Sequence, residues 1–281
     1  MDAHPRTTSE HWLADLIAAD AGSGLDDGAL ARELVARGVT VGEAVLDTGE
    51  LGRSRKTSVS DIVTVADHRA EADIVAALAA LRPEDGIIGE EGAARDSRSG
   101  RTWIIDPIDG TYNFAHRIAG WCSAIALREG EATLAGAVRR GGTGEAWLDR
   151  AGEDGPGMLW RNGDRMPRLA PAPLAEVGIA TYLHPTRMTD PDAWEPWRAA
   201  AAGAATVRML GSGSLDLADV AAGRLGAFMQ SGTADWDWYP GVALVEAAGG
   251  IGRVVGHRGH RWHVAGNERV VAELIARLTG A

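Results

Sequence analysis

Residues 101–114, RTWIIDPIDGTYNF, restrict what this chain can fold into more than any other stretch. Trp103, Ile104 and Ile105 form a short apolar run closed by Pro107 and Gly110, the pattern of a buried strand that stops at a turn. Asp106 and Asp109 therefore stand at a strand end. Desolvating a carboxylate there is costly, and two within four residues also repel each other. A bound cation resolves both problems.

A core large enough to bury such a strand is available. With 281 residues, 45% hydrophobic and 24% charged, the chain has the composition of a soluble globular protein of one large domain or two closely packed ones. The 39 acids against 28 Lys and Arg give a net charge of −11, which disfavours nucleic acid as a partner and favours metal cations. Cys122 is the single cysteine, so no internal disulfide exists; it reads as a core residue in a reducing, cytoplasmic setting. No signal-peptide pattern opens the chain and no segment approaches 18 uninterrupted apolar residues, so no membrane association is expected.

Along the chain, residues 10–37 give two helical patterns, the second ending at Gly38 as a C-cap. SVSDIVTVADHRAEADIVAALAAL changes from β-branched residues to helical spacing at Asp67. GIIGEEG (86–92) and TWIIDPIDG read as strands with acids at their ends, and residues 123–138 as a hairpin around Glu129 and Gly130. The second half begins near an Asn-Gly turn at 162–163 and alternates strand and helix. It closes with a helix from Pro240 to Ala248, a strand at 251–255 and a terminal helix after Asn267. The fold class is mixed α and β, with an N-terminal lobe over 1–165 and a C-terminal lobe over 166–281.

Acids recur at the edges of these elements: Asp67, Glu90 with Glu91, Asp106 with Asp109, and Asp237. Hard oxygen ligands of this kind suit Mg²⁺. Each alone also fits a helix cap or a solvated turn, and Asp237 precedes a helix whose first turn holds Pro240. Gly110 lets the backbone turn tightly, which positions the N–H groups of Gly110 and Thr111 to cradle phosphate oxygens.

WIIDPIDGTYNF and WDWYPGVALVEAAGG (236–250) resemble the two signatures of the inositol monophosphatase family of lithium-sensitive, Mg²⁺-dependent phosphatases. GEEG is similar to the acidic pair of that family, KTSVSDIVTVAD (56–67) has its Lys and final Asp in order, and residues 209–228 resemble the stretch before the second signature. The resemblance runs from about Lys56 onward. It implies a layered α-β-α-β-α sandwich, a homodimer, and two or three Mg²⁺ per site. Glu90, Asp106 and the carbonyl of Ile108 would hold one ion; Asp106, Asp109 and Asp237 a second; Glu90 would help with a looser third. Asp67 with Thr111 would orient and deprotonate the attacking water. The implied substrate is a small phosphate monoester, inositol 1-phosphate or a related polyol phosphate, contacted by Gly110, Thr111, Gln230 and Asp237. Phosphates of histidinol, nucleoside bisphosphates and sugar bisphosphates are the alternatives, as is a regulatory or RNA-associated member with little catalysis.

Three positions depart from the pattern, and two of them, Tyr239 and Pro240, stand where small alanines are frequent and reshape the expected pocket wall. Gln230 stands where members acting on inositol phosphates often carry Glu seven residues before the second-signature aspartate, which removes a negative charge from the substrate wall. GHRGHRWH spaces His257, His260 and His263 three apart, but with no accompanying acid it reads as a solvated turn rather than a zinc site. The ten tryptophans read as apolar filler, with Trp236 and Trp238 shielding Asp237 from bulk water.

Overall fold

The computed structural model describes residues 8–55, 62–152 and 155–281. Lys56 and residues 57–61 of the resemblance lie outside them. The chain opens with α1 (Ser9–Ser23) and α2 (Asp27–Thr48), an antiparallel pair β1 (Ser54–Arg55) and β2 (Ile62–Val63), and α3 (Val65–Leu81). A first sheet is built from β3 (Gly86–Gly89), β4 (Ala94–Arg95), β5 (Arg101–Asp109), β6 (Cys122–Glu129), β7 (Ala132–Arg140), β8 (Ala146–Gly152), β9 (Gly155–Arg161) and β10 (Asp164–Arg165). Its order is β10-β9-β8-β7-β6-β5-β3-β4, with β3 parallel to β5 and the other pairs antiparallel. The short helix α4 (Thr111–Ala115) follows β5.

The second sheet contains β11 (Gly178–Tyr182), β12 (Thr206–Arg208), β13 (Ala227–Ser231), β14 (Ile251–His257) and β15 (His260–Gly266), in the order β12-β11-β13-β15-β14. β11 runs parallel to β12 and β13, and β15 antiparallel to β13 and β14. Its helices are α5 (Pro191–Ala201), α6 (Gly213–Ala221), α7 (Asp235–Ala247) and α8 (Glu268–Thr279).

Three apolar cores arrange these elements in five layers. Leu30, Leu34, Ile74 and Leu78 of α2 and α3 pack on Trp103, Ile105, Ile125 and Leu127 of the first sheet. The other face of that sheet meets α6 and α7, which in turn carry Phe228 and Ala265 of the second sheet. Leu274 and Leu278 of α8, with Ala200 of α5, cover the far side over Met229, Trp262 and Val264. The fold is thus an α-β-α-β-α sandwich. Cys122 is fully buried in the middle of it.

Three expectations change. The second helix does not stop at Gly38: α2 runs to Thr48 and is capped by Gly49 in the left-handed conformation. Gly38 is a close-approach residue, since a Cβ there would collide with the Ser123 side chain on β6. Helix α7 starts at Asp235 rather than near Pro240, with Ala234 as N-cap, so Asp237 lies within its first turn. Two acids there complement the helix dipole. Finally, the histidine-rich segment is a hairpin. Arg258 and Gly259 turn it at φ 47° and 76°, and His263 lies buried in β15 at 3% exposure.

Candidate active site

Two aspartates three residues apart on a regular strand point to opposite faces. In β5 the register against β6 slips between Asp106 and Asp109, a bulge at Pro107 and Ile108 that turns both acids to one site. Gly110 then adopts φ 85°, and a Cβ on it would sit 2.8 Å from the Gly120 carbonyl oxygen. No other residue fits there.

The Asp109 carboxylate is held by α6. Its Oδ2 accepts from the Ser212 hydroxyl at 2.8 Å and from the Ser214 backbone N–H at 2.6 Å. One side chain thereby joins the strand of the first sheet to the helix before β13. The first turn of α7 supplies Asp237, and one carboxylate oxygen each from Asp106, Asp109 and Asp237 lie within 4.8 Å of one another. Glu90 follows β3, the parallel neighbour of β5, and its backbone N–H donates to the Ile105 carbonyl at 3.1 Å. Its carboxyl lies close enough to Asp106 to raise the affinity of that group for protons. Glu71 of α3 fixes this loop by accepting from the N–H groups of Glu91 and Ala93, both at 3.0 Å.

Burial raises the Asp106 carboxyl well above the ordinary range, and the charges of Glu90, Asp109 and Asp237 add to it. Asp237 is raised likewise, by burial and then by Asp109 and Glu90. Asp109 is raised by burial against the opposing hydrogen bonds from Ser214 and Ser212. A crowded cage of like charges accepts protons unless a cation replaces them. The donor set fits a hard divalent ion: oxygens throughout, with Asp106 Oδ1 buried and without a hydrogen-bond partner.

Beside the cage stands Asp67, at the third position of α3, where it forms a capping box with Thr64. Its Oδ2 accepts from the Thr64 N–H at 2.8 Å and hydroxyl at 2.5 Å. The Thr111 hydroxyl lies 3.1 Å from Asp67 Oδ1 and 2.9 Å from the Ile108 carbonyl. Burial lifts Asp67 to about 6, against the Thr64 hydrogen bonds. A carboxylate at that value is ionised at neutral pH yet basic enough to take a proton.

Asp109 and Asp237 open onto a cavity of about 820 Å³ that Tyr112, Tyr182, His184 and Gln230 also line. Trp238 is buried behind Asp237. Sequence reasoning missed Ser212, Ser214 and Glu71, which orient the acids. The Ser-Gly-Ser ahead of the apolar run at 215–221 is an N-cap signature that pointed to the first two.

The inositol monophosphatase family model matches residues 28–279. The chain belongs to this family. The match starts ahead of Lys56 and takes in α2. The inositol-1-monophosphatase of Caulobacter vibrioides is 32% identical over 242 residues, 80% of this chain and 90% of that protein. The protein named Nus factor SuhB from Pseudomonas aeruginosa is 35% identical over 202 residues, 68% of this chain and 71% of that one. The crystal structure of extragenic suppressor protein suhB from Bartonella henselae superposes with a TM-score of 0.77 at 27% identity, covering 87% of this chain and 94% of that chain. As a family member the chain is a metal-dependent phosphoric monoester hydrolase acting on small phosphate monoesters. Among the described residues no helix is long and apolar enough to cross a membrane.

Proposed function

We propose that this inositol monophosphatase homologue is a Mg²⁺-dependent phosphatase of polyol monophosphates, with inositol 1-phosphate as the reference substrate. The observation that carries the reading is the convergence of Asp106, Asp109 and Asp237 beside a cavity that Asp109, Asp237 and Gln230 line. Glu90, Asp106 and the Ile108 carbonyl would hold one Mg²⁺, Asp106, Asp109 and Asp237 a second, and Glu90 a looser third that Li⁺ can displace. Bound there, Mg²⁺ would neutralise charge on the phosphate ester and lower the pKa of the attacking water. Asp67, oriented through Thr111, takes the proton of that water. The Gly110 and Thr111 N–H groups meet the phosphate oxygens, while Gln230 and the far wall meet the alcohol. The lobes 1–165 and 166–281 contribute the two sides, and the enzyme acts as a homodimer.

Gln230 decides between a polyol and an amine. A carboxylate there would hold an ammonium by a charge-assisted bond, roughly twice as strong as the neutral bond an amide offers. The parent enzyme should therefore show a higher kcat/KM for inositol 1-phosphate than for histidinol phosphate in Mg²⁺, and Gln230→Glu should move the ratio toward the amine. A parental preference for histidinol phosphate contradicts the polyol reading.

A further inference from the structure

We propose that His263 is a positioning residue that fixes the Gln230 carboxamide, so that the amide presents one set polar atom to a hydroxyl of the substrate alcohol. The inference rests on the polyol reading above and extends it to a residue outside the metal cage.

Gln230 on β13 and His263 on β15 are directly opposed partners in the antiparallel ladder. Opposed residues share a face, with Cβ atoms about 5 Å apart. The alternate residues Phe228 and Ala265 pack in the core around α6 and α7, so Gln230 and His263 face the same way, toward the helix that carries Asp237. The imidazole is 3% exposed, and its ring meets Trp238, the residue after Asp237, edge-on at 5.0 Å.

Both side chains carry unused polar atoms. His263 Nδ1 is buried without a hydrogen-bond partner, and the Gln230 amide, which lines the cavity, makes no side-chain hydrogen bond among the described residues. A buried unpartnered ring nitrogen is a rare feature that calls for an explanation. Directly across the ladder stands the Gln230 amide. Burial, aided by the charge of Arg261 and opposed by Asp235, lowers His263 to about 4, so the ring is neutral and one nitrogen accepts while the other donates. When an amide atom engages the ring, the other amide atom is turned to the cavity. A hydroxyl both donates and accepts, so it serves either orientation; an ammonium only donates. His263 thus fixes which amide atom a substrate hydroxyl meets, without touching the substrate.

The test compares kcat/KM for inositol 1-phosphate with that for 4-nitrophenyl phosphate, which has no ring hydroxyls, in the same Mg²⁺ buffer. The proposal expects His263→Phe to lower the ratio of the two about five- to tenfold, with the loss in KM for inositol 1-phosphate, the worth of one net hydrogen bond. His263→Asn, whose side-chain amide stands where Nδ1 does, should restore most of the ratio, and Gln230→Ala with His263→Phe should be no worse than Gln230→Ala alone. Should His263→Phe not fold, His263→Leu, which offers no polar atom, is read the same way. A ratio unchanged within twofold, an equal loss on both esters, or multiplicative effects of the two substitutions would overturn the proposal while leaving the polyol reading intact. A parent enzyme inert toward inositol 1-phosphate but active on 4-nitrophenyl phosphate would overturn both.

Discussion

Asp106 has one carboxylate oxygen that nothing in the protein satisfies, among three acids that raise its affinity for protons. Replacing it by Asn keeps the shape and removes a charge. Asp106→Asn should lower kcat/KM at least about 100-fold, beyond what loss of an outer partner of a metal ligand costs, while raising the Tm of the metal-free protein. Near-parental turnover in saturating Mg²⁺ would contradict the ligand role. Asp149 on β8 tests electrostatics away from the site. It is 6% exposed, its Oδ1 has no partner, and burial with the Glu246 charge nearby raises it from 3.8 to about 7. Between those values the native carboxyl holds a proton that the unfolded chain has released, so this group's contribution to stability falls as pH rises through the window. Asp149→Asn should stabilise the fold at pH 8, by at most roughly 4 kcal/mol, and change little at pH 4. Equal denaturation midpoints for the two proteins at pH 8 would show that Asp149 is solvated.

At the level of elements, the site depends on how strand ends and helix starts meet. The acids at positions 67, 90, 106, 109 and 237 were legible because each follows or opens an apolar run beside turn residues. The bulge in β5 was not, since a register slip is a property of two strands and only the Pro at 107 marks it. Gly38 was misread because a glycine placed for close approach to β6 looks the same in sequence as one that ends a helix. The strands β8 and β9 went unread, their pattern interrupted by the Gly and charged residues of 149–157. His263 was read as solvated because a hairpin that buries one end of a polar segment leaves no local signal. The α6 start offers a direct check. Ser212 caps that helix and also holds Asp109, so Ser212→Ala should cost about 1 kcal/mol of stability and weaken Mg²⁺ binding by about 10–100-fold. Calorimetric titration with unchanged Mg²⁺ affinity would separate the cap from the site.

Across the whole molecule, two sheets and five layers serve to bring a strand of one sheet, a loop beside it and a helix before the other to a single cavity. A net charge of −11 with several buried acids makes the metal-free protein self-repelling, which a cation relieves. Binding to the native state alone stabilises it by about 2.7 kcal/mol at a hundredfold excess over Kd, so Tm should rise by roughly 5 °C in Mg²⁺, and by less in Asp237→Asn. The most direct measurement is phosphate release from inositol 1-phosphate by one preparation, first in Mg²⁺, then in excess chelator, then with Mg²⁺ restored, beside Asp237→Asn. Release should stop in chelator, return with Mg²⁺, and be at least about 100-fold lower in the variant whenever Mg²⁺ is present. Undiminished release in chelator, or a variant as fast as the parent, would contradict the carboxylate cage as the seat of the reaction.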